Sequence, residues 1–208
     1  MSVRVKICGI NSAAAIDAAV AAGADWIGFV FFPPSPRAVA PAQAAGLAAR
    51  HPDGPPRVGL FVDPAEADVA AALAALRLDV LQLYAAPERV AALRDRFGLP
   101  VWRAVGVAVA ADLPAEAGGA DALLIEANPP PGATRPGGNA ARIDWAILRG
   151  WAAPAPWILA GGLTPDNVAA AISASGARAV DVSSGVESAP GVKDPALIRA
   201  FVRAARGG

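Results

Sequence analysis

The sequence predicts a closed (β/α)8 barrel built from the whole chain, and three observations carry that expectation. Eight short runs dense in Val, Ile, Leu and Phe recur along 208 residues, as strands buried on both faces do. Helix-sized segments separate them, several opened by proline or a hydroxyl residue. Each strand has its helical segment, so eight βα units leave no strand over. An open doubly wound sheet is the alternative on count alone, but no GxGxxG follows a strand. No linker or break in composition divides residues 1–208, which predicts a single minimal domain.

The expected strands are Val3–Ile7, Trp26–Phe31, Arg57–Val62, Asp79–Leu83, Val101–Gly106, Asp121–Ile125, Trp157–Ala160 and Arg178–Val182. Ser12–Ala22 opens on a serine cap and ends at Gly23. Pro64–Leu76, Pro87–Phe97 and Pro165–Ser175 begin with proline, which suits the first helical turn, and Asp63 and Thr164 precede two of them as caps. Pro41–Arg50 and Pro195–Arg206 complete the clear helices. Ala110–Ala117 and Ile143–Leu148 are the weaker helical segments.

Composition excludes several classes of function. Eighteen basic residues balance eighteen acidic ones, so no charge surplus points to nucleic acid or an anionic membrane. The hydrophobic content of 55% serves a large core. The most apolar stretch, WIGFVFFPP, is shorter than the ~20 residues a spanning helix needs, and the N-terminus lacks the pattern of a secretory signal. Cys8 is the only cysteine, so no internal disulfide forms and a reducing cytoplasm fits. Lys6 and Lys193 are the only lysines among the basic residues; a GC-rich genome accounts for that bias together with the alanine surplus.

In a (β/α)8 barrel the active site lies at the C-terminal ends of the strands. Those ends carry Cys8-Gly9, the FFPPSPR segment with Arg37, LQLY with Gln82 and Tyr84, LLIE with Glu126, LAGGL, and DVSSGVE. Gly161 and Gly162 after strand seven, with Ser183, Ser184 and Gly185 after strand eight, offer close backbone approach, hydroxyls and N–H donors. Two such turns on these adjacent strands predict a phosphate site. A lone cysteine is usually a small core residue, but at a strand end facing the mouth Cys8 can move a proton, and Lys6 on the same side of the strand favours its thiolate. Glu126, on a different strand, is the second proton-transfer candidate, balanced against a solvated loop carboxylate. Arg37, restrained among prolines, suits a substrate carboxylate. His51 falls at the opposite end of the barrel, and one Cys with one His forms no metal site. The connection from Glu126 to Trp145 holds four prolines and three glycines; so long an irregular loop in a compact barrel is commonly functional.

Together VKICGI, GADWIGFVFFPPSPR, LQL, GATRPGGN, LAGGLTPDNV and VDVSSGVESAPGVKD resemble the phosphoribosylanthranilate isomerase family of tryptophan biosynthesis, from Val3 to about Phe201. The resemblance implies a (β/α)8 barrel and an Amadori rearrangement of N-(5-phosphoribosyl)anthranilate. It also implies Cys8 as the general base at ribose C2, an acid at the end of strand six that opens the ring, Arg37 on the anthranilate carboxylate, and the two Gly/Ser turns on the phosphate. Gln82, Tyr84 and Asn128 join Arg37 as expected substrate contacts. No cofactor or metal is implied, the partner is a small phosphosugar, and the chain is expected to be a monomer or homodimer. The departures cluster. The family's acid is aspartate where this chain has Glu126, its QLHG reads LQLYA with Tyr84 and Ala85, and its frequent lysine two residues after the acid is Asn128. Ala140 and Ile143 also differ. That clustering keeps a second reading open, a diverged relative that acts on, or only binds, a related phosphosugar.

Overall fold

A computed structural model describes residues 2–133 and 135–207. Eight parallel strands close into a barrel in sequence order: β1 Arg4–Cys8, β2 Trp26–Val30, β3 Arg57–Val62, β4 Val80–Tyr84, β5 Val101–Val107, β6 Ala122–Ala127, β7 Trp157–Leu159 and β8 Ala179–Val182. The helices are α1 Ala13–Ala21, α2 Pro41–Ala48, α3 Glu66–Ala75, α4 Pro87–Phe97, α5 Val168–Ser175 and α6 Pro195–Ala205.

The period-2 pleat sorts the strands into two faces. Val5, Ile7, Ile27, Phe29, Leu81, Leu83, Leu123, Ile125 and Val180 face outward into one core with the helices. The alternate positions point into the barrel. Its floor is a separate cluster of Trp26, Val58, Val80, Trp102, Ala122, Ile158 and Ala179, with the Trp26 and Trp102 rings edge to face at 5.1 Å. The next inward positions above this floor include Lys6, Gln82 and Asp181, and Cys8, Tyr84 and Glu126 lie at the top. The same alternation that seals the barrel therefore delivers the polar side chains to the mouth. At the opposite end Asp25, Asp79 and Asp121 each accept a backbone N–H near the start of the preceding strand, from Val5, Arg57 and Val101, all at 2.8 Å. These acceptors satisfy backbone donors at the barrel's lower rim.

Two helical segments expected from the sequence shrink to 3-10 turns. Ala110–Ala117 retains only Ala110–Asp112. Leu113 is extended because Pro114 follows it, and Asp112 turns back to accept from Ala108 and Val109 N–H. Ile143–Leu148 retains Trp145–Leu148, opened by Asp144 on the Ala146 N–H. Neither Asp63 nor Thr164 caps a helix: α3 begins at Glu66, after Ala65, and α5 at Val168, after Asn167. Ser12 and the N1 prolines Pro41, Pro87 and Pro195 sit as the sequence predicts. A short antiparallel hairpin, β9 Glu187–Ala189 with β10 Val192–Lys193, follows β8 and has no counterpart in the sequence reading. Its pairing sets Lys193 opposite Glu187.

Candidate active site

A cleft opens at the C-terminal ends of the strands. Its lining includes Cys8, Arg37, Gln82, Tyr84, Glu126, Gly161, Gly162, Ser183 and Ser184. These residues come from six strands or the loops that follow them, so the barrel's closure is what assembles them. His51 lies elsewhere, bonded to Asp17, and among the described residues no cluster of His, Cys, Asp or Glu suits a metal.

Cys8 and Glu126 stand three strands apart around the eight-strand ring, close to opposite walls. Beneath Cys8, Lys6 is fully buried and donates to Asp181 Oδ1 at 2.8 Å. Burial alone would lower the Lys6 pKa, but Asp181 and Cys8 carry it above its ordinary value. Gly28, on the adjacent strand, makes room for both side chains: a Cβ there would stand 3.1 Å from Lys6 Nζ and 3.2 Å from Cys8 Sγ. Burial pushes the Cys8 thiol's pKa up, and Lys6 pulls it back only in part. Lys6 thus favours the thiolate against the larger opposing effect of burial. Asp181 was missed from the sequence although its signal was present, a lone carboxylate inside the apolar strand AVDV.

Glu126 is buried, and Tyr84 donates its hydroxyl to Glu126 Oε1 at 2.6 Å. Burial raises the carboxyl pKa to about 7, opposed by the Tyr84 bond and by Lys6 and reinforced by Asp181. Tyr84 itself is held well above its ordinary value, first by burial and then by Glu126. Tyr84, expected as a substrate contact, is therefore engaged with Glu126. Gly137 covers the pair: a Cβ there would overlap the Tyr84 hydroxyl and stand 2.8 Å from Glu126 Oε1. The long loop after β6 is in this way part of the site. Gln82 is buried with an amide oxygen that has no partner among the described residues.

Arg37 is 4% exposed and already paired. Its Nε and Nη2 donate to Glu187 at 2.7 and 2.9 Å. Lys193 Nζ donates to the same carboxylate at 2.7 Å and to the carbonyl and hydroxyl of Ser183 at 2.8 and 3.2 Å. Burial alone would raise the Glu187 pKa, but Arg37 and Lys193 hold it below its ordinary value. Burial pulls Lys193 below its own, against Glu187. Lys193 places three donors on three acceptors, a job for a compact ammonium rather than a planar guanidinium.

Two expected site residues lie off the cleft. Asn128 lies past the end of β6 against Gly106, where a Cβ would overlap its Oδ1, and it is not among the residues that line the cleft. Gly185 is not at the lining surface: a Cβ there would overlap the Leu163 carbonyl, so its glycine lets the β8 turn pack on the β7 turn. Gly161 and Gly162 line the cleft with φ of +83° and +61°. A Cβ on Gly162 would meet Ala140 O at 2.8 Å, so these glycines also admit the returning β6 loop.

The closed barrel and the cleft at the C-terminal ends of its strands define a (β/α)8 enzyme. The family model for N-(5'phosphoribosyl)anthranilate (PRA) isomerase matches residues 5–204. An N-(5'-phosphoribosyl)anthranilate isomerase of Acidiphilium cryptum is 61% identical over 97% of this chain and 98% of its own. The crystal structure of TrpF from Jonesia denitrificans superposes with a TM-score of 0.81 at 42% identity, covering 99% and 98% of the two chains. A phosphoribosyl anthranilate isomerase in complex with reduced 1-(o-carboxyphenylamino)-1-deoxyribulose 5-phosphate superposes at 0.82 and 31% identity, covering 99% and 100%. The chain belongs to the N-(5'-phosphoribosyl)anthranilate isomerase family.

Proposed function

We propose that this chain carries out the family's Amadori rearrangement, converting N-(5'-phosphoribosyl)anthranilate into the carboxyphenylamino-deoxyribulose phosphate, with Cys8 as general base and Glu126 as general acid. The observation that carries the residue assignment is the buried Glu126 carboxyl, pushed to about 7, facing a cleft that also receives the Cys8 thiol. A carboxyl that holds a proton near neutral pH can give it to the furanose ring oxygen. Ring opening leaves an imine at C1. Cys8, as thiolate, removes the C2 proton to give an enolamine. Protonation at C1 and loss of the C2 hydroxyl proton complete the aminoketose, so no proton or electron is gained overall. Gly161, Gly162, Ser183 and Ser184 bind the phosphate, Lys193 fixes Ser183 for that task, and the orphaned oxygen of Gln82 accepts from a ribose hydroxyl. The substrate is a small phosphosugar and the compartment is the cytoplasm. Among the described residues no helix is long and apolar enough to cross a membrane. The chain acts as a monomer or a homodimer.

Turnover of freshly made substrate, followed as loss of anthranilate fluorescence, tests this reading; a folded protein with no turnover sinks it. Two of the departures from the family pattern are joined by one hydrogen bond, Tyr84 to Glu126, which favours a rebuilt acid over a lost one. Glu126→Asp alone withdraws the carboxyl from Tyr84, and turnover falls ~10²-fold, the scale of a ~1 Å misplacement. Adding Tyr84→His restores part of that loss. A double variant no better than the single one would show that the two positions are independent.

A further inference from the structure

Arg37 has spent the donors that suit a carboxylate. Its Nε and Nη2 form a two-pronged pair with Glu187, and Glu187 is held in addition by Lys193 and by the Gly191 N–H at 3.1 Å. A carboxylate so fully bound does not yield the arginine to a substrate. What remains to the cleft is chiefly Nη1, which lies beside Gly138, 2.6 Å from where a Cβ on that residue would stand. A single remaining prong is a poor match for the two oxygens of a benzoate-type carboxylate.

A second guanidinium comes to the same place. Arg135, in the loop after β6, lines the cleft with Arg37 and Gly138. Its guanidinium makes one hydrogen bond among the described residues, a long one from Nη2 to Gly138 O at 3.5 Å, and its Nε is buried without a partner. Gly138 thus stands between the two guanidinium groups, both with donors in hand. Glu187 cancels one of the charges on Arg37 and Lys193; the other and that of Arg135 leave this wall of the cleft positive. The same loop, through Gly137, closes over Tyr84 and Glu126, so a ligand group held by Arg135 lies near the acid and away from the floor.

We propose that Arg135 is a substrate-binding and specificity-determining residue of this isomerase, which takes the aromatic carboxylate of the substrate jointly with the free prong of Arg37. Glycine at 137 and 138 lets the loop bring Arg135 in, and Glu187 holds Arg37 still as the fixed half of the clamp. The proposal rests on the isomerase reading and assigns one contact within it.

The test uses two unreactive probes on the full chain by calorimetry: reduced 1-(o-carboxyphenylamino)-1-deoxyribulose 5-phosphate and its phenylamino counterpart without the carboxylate. Arg135→Ala is expected to weaken the first probe about 10- to 100-fold, the range of a charge-assisted hydrogen-bonded contact, and to leave binding of the second within about twofold. Arg135→Lys is expected to recover part of the loss. Equal weakening of both probes would overturn the proposal, placing Arg135 on the phosphate or in loop structure, and so would no weakening of either. Unchanged binding of the second probe also shows that the variant is folded. Failure of the unmodified protein to bind either probe would overturn the isomerase reading itself along with the proposal.

Discussion

Replacing Cys8 with alanine is expected to cut turnover by more than ~10³-fold while the barrel stays folded. A positioned general base contributes roughly 10²–10⁴-fold, and no other group in the cleft is placed to replace it. Asp181 is bound to Lys6, and Glu126 is committed to the opposite wall. The structural cost is small. Cys8 packs against Val30 and Leu60 at the top of the barrel, and removing one sulfur there resembles an Ile→Val truncation, ~1 kcal/mol. Cys8→Ser separates chemistry from packing, because a serine fills nearly the same space but its hydroxyl does not ionise near neutral pH. Both variants should keep a urea midpoint close to that of the parent and lose turnover alike. A near-normal rate in either would mean that another group takes the C2 proton.

How much of this was legible in the sequence depended on whether a residue's role was local or long-range. Strands buried on both faces write themselves as apolar runs, and Cys8, Arg37 and Glu126 follow from the ends of those runs. The sequence could not state the partners. Glu187 lies 150 residues from Arg37 and Asp181 lies 175 from Lys6, and each pair exists only because the barrel closes. The two lysines show the point best. In an arginine-dominated chain Lys6 reads only as a neighbour of Cys8 and Lys193 only as a bias of composition, yet both are buried at the site, 0% and 6% exposed. Each occupies a place where a planar guanidinium does not fit, one over Gly28 and one among three acceptors. The Ala110–Ala117 segment failed for the reverse reason: alanine promised a helix, and Pro114 with the side chain of Asp112 ended it after one turn.

Glu126→Gln carries the other large effect, and it appears in two pH dependences at once. The productive enzyme needs the Cys8 thiolate and the Glu126 acid together. Burial sets Glu126 near 7 and lifts Cys8 above its ordinary 9.0, so between those values most molecules hold the pair's single proton on Cys8 rather than on Glu126. The productive fraction is then small but constant. kcat/KM of the parent should form a plateau above pH 7 and fall tenfold per unit below it. Glutamine cannot donate the proton, so turnover drops by ~10³-fold or more. The break near pH 7 disappears, and the residual rate climbs steadily with pH toward the Cys8 value.

Stability supplies the independent check. The folded Glu126 pKa lies above its ordinary 4.5, so the folded chain holds a proton that the unfolded chain gives up. That contribution is complete below pH 4.5 and is lost as pH rises through about 7. It amounts to roughly 3 kcal/mol at 1.36 kcal/mol per unit. Glutamine has no such proton to lose and still accepts from Tyr84. The variant should therefore gain on the parent in urea unfolding between pH 5 and pH 8.5, by an amount of that order. If parent and variant lose stability in parallel over that range, Glu126 is not the buried acid, and the proton that opens the ring comes from elsewhere.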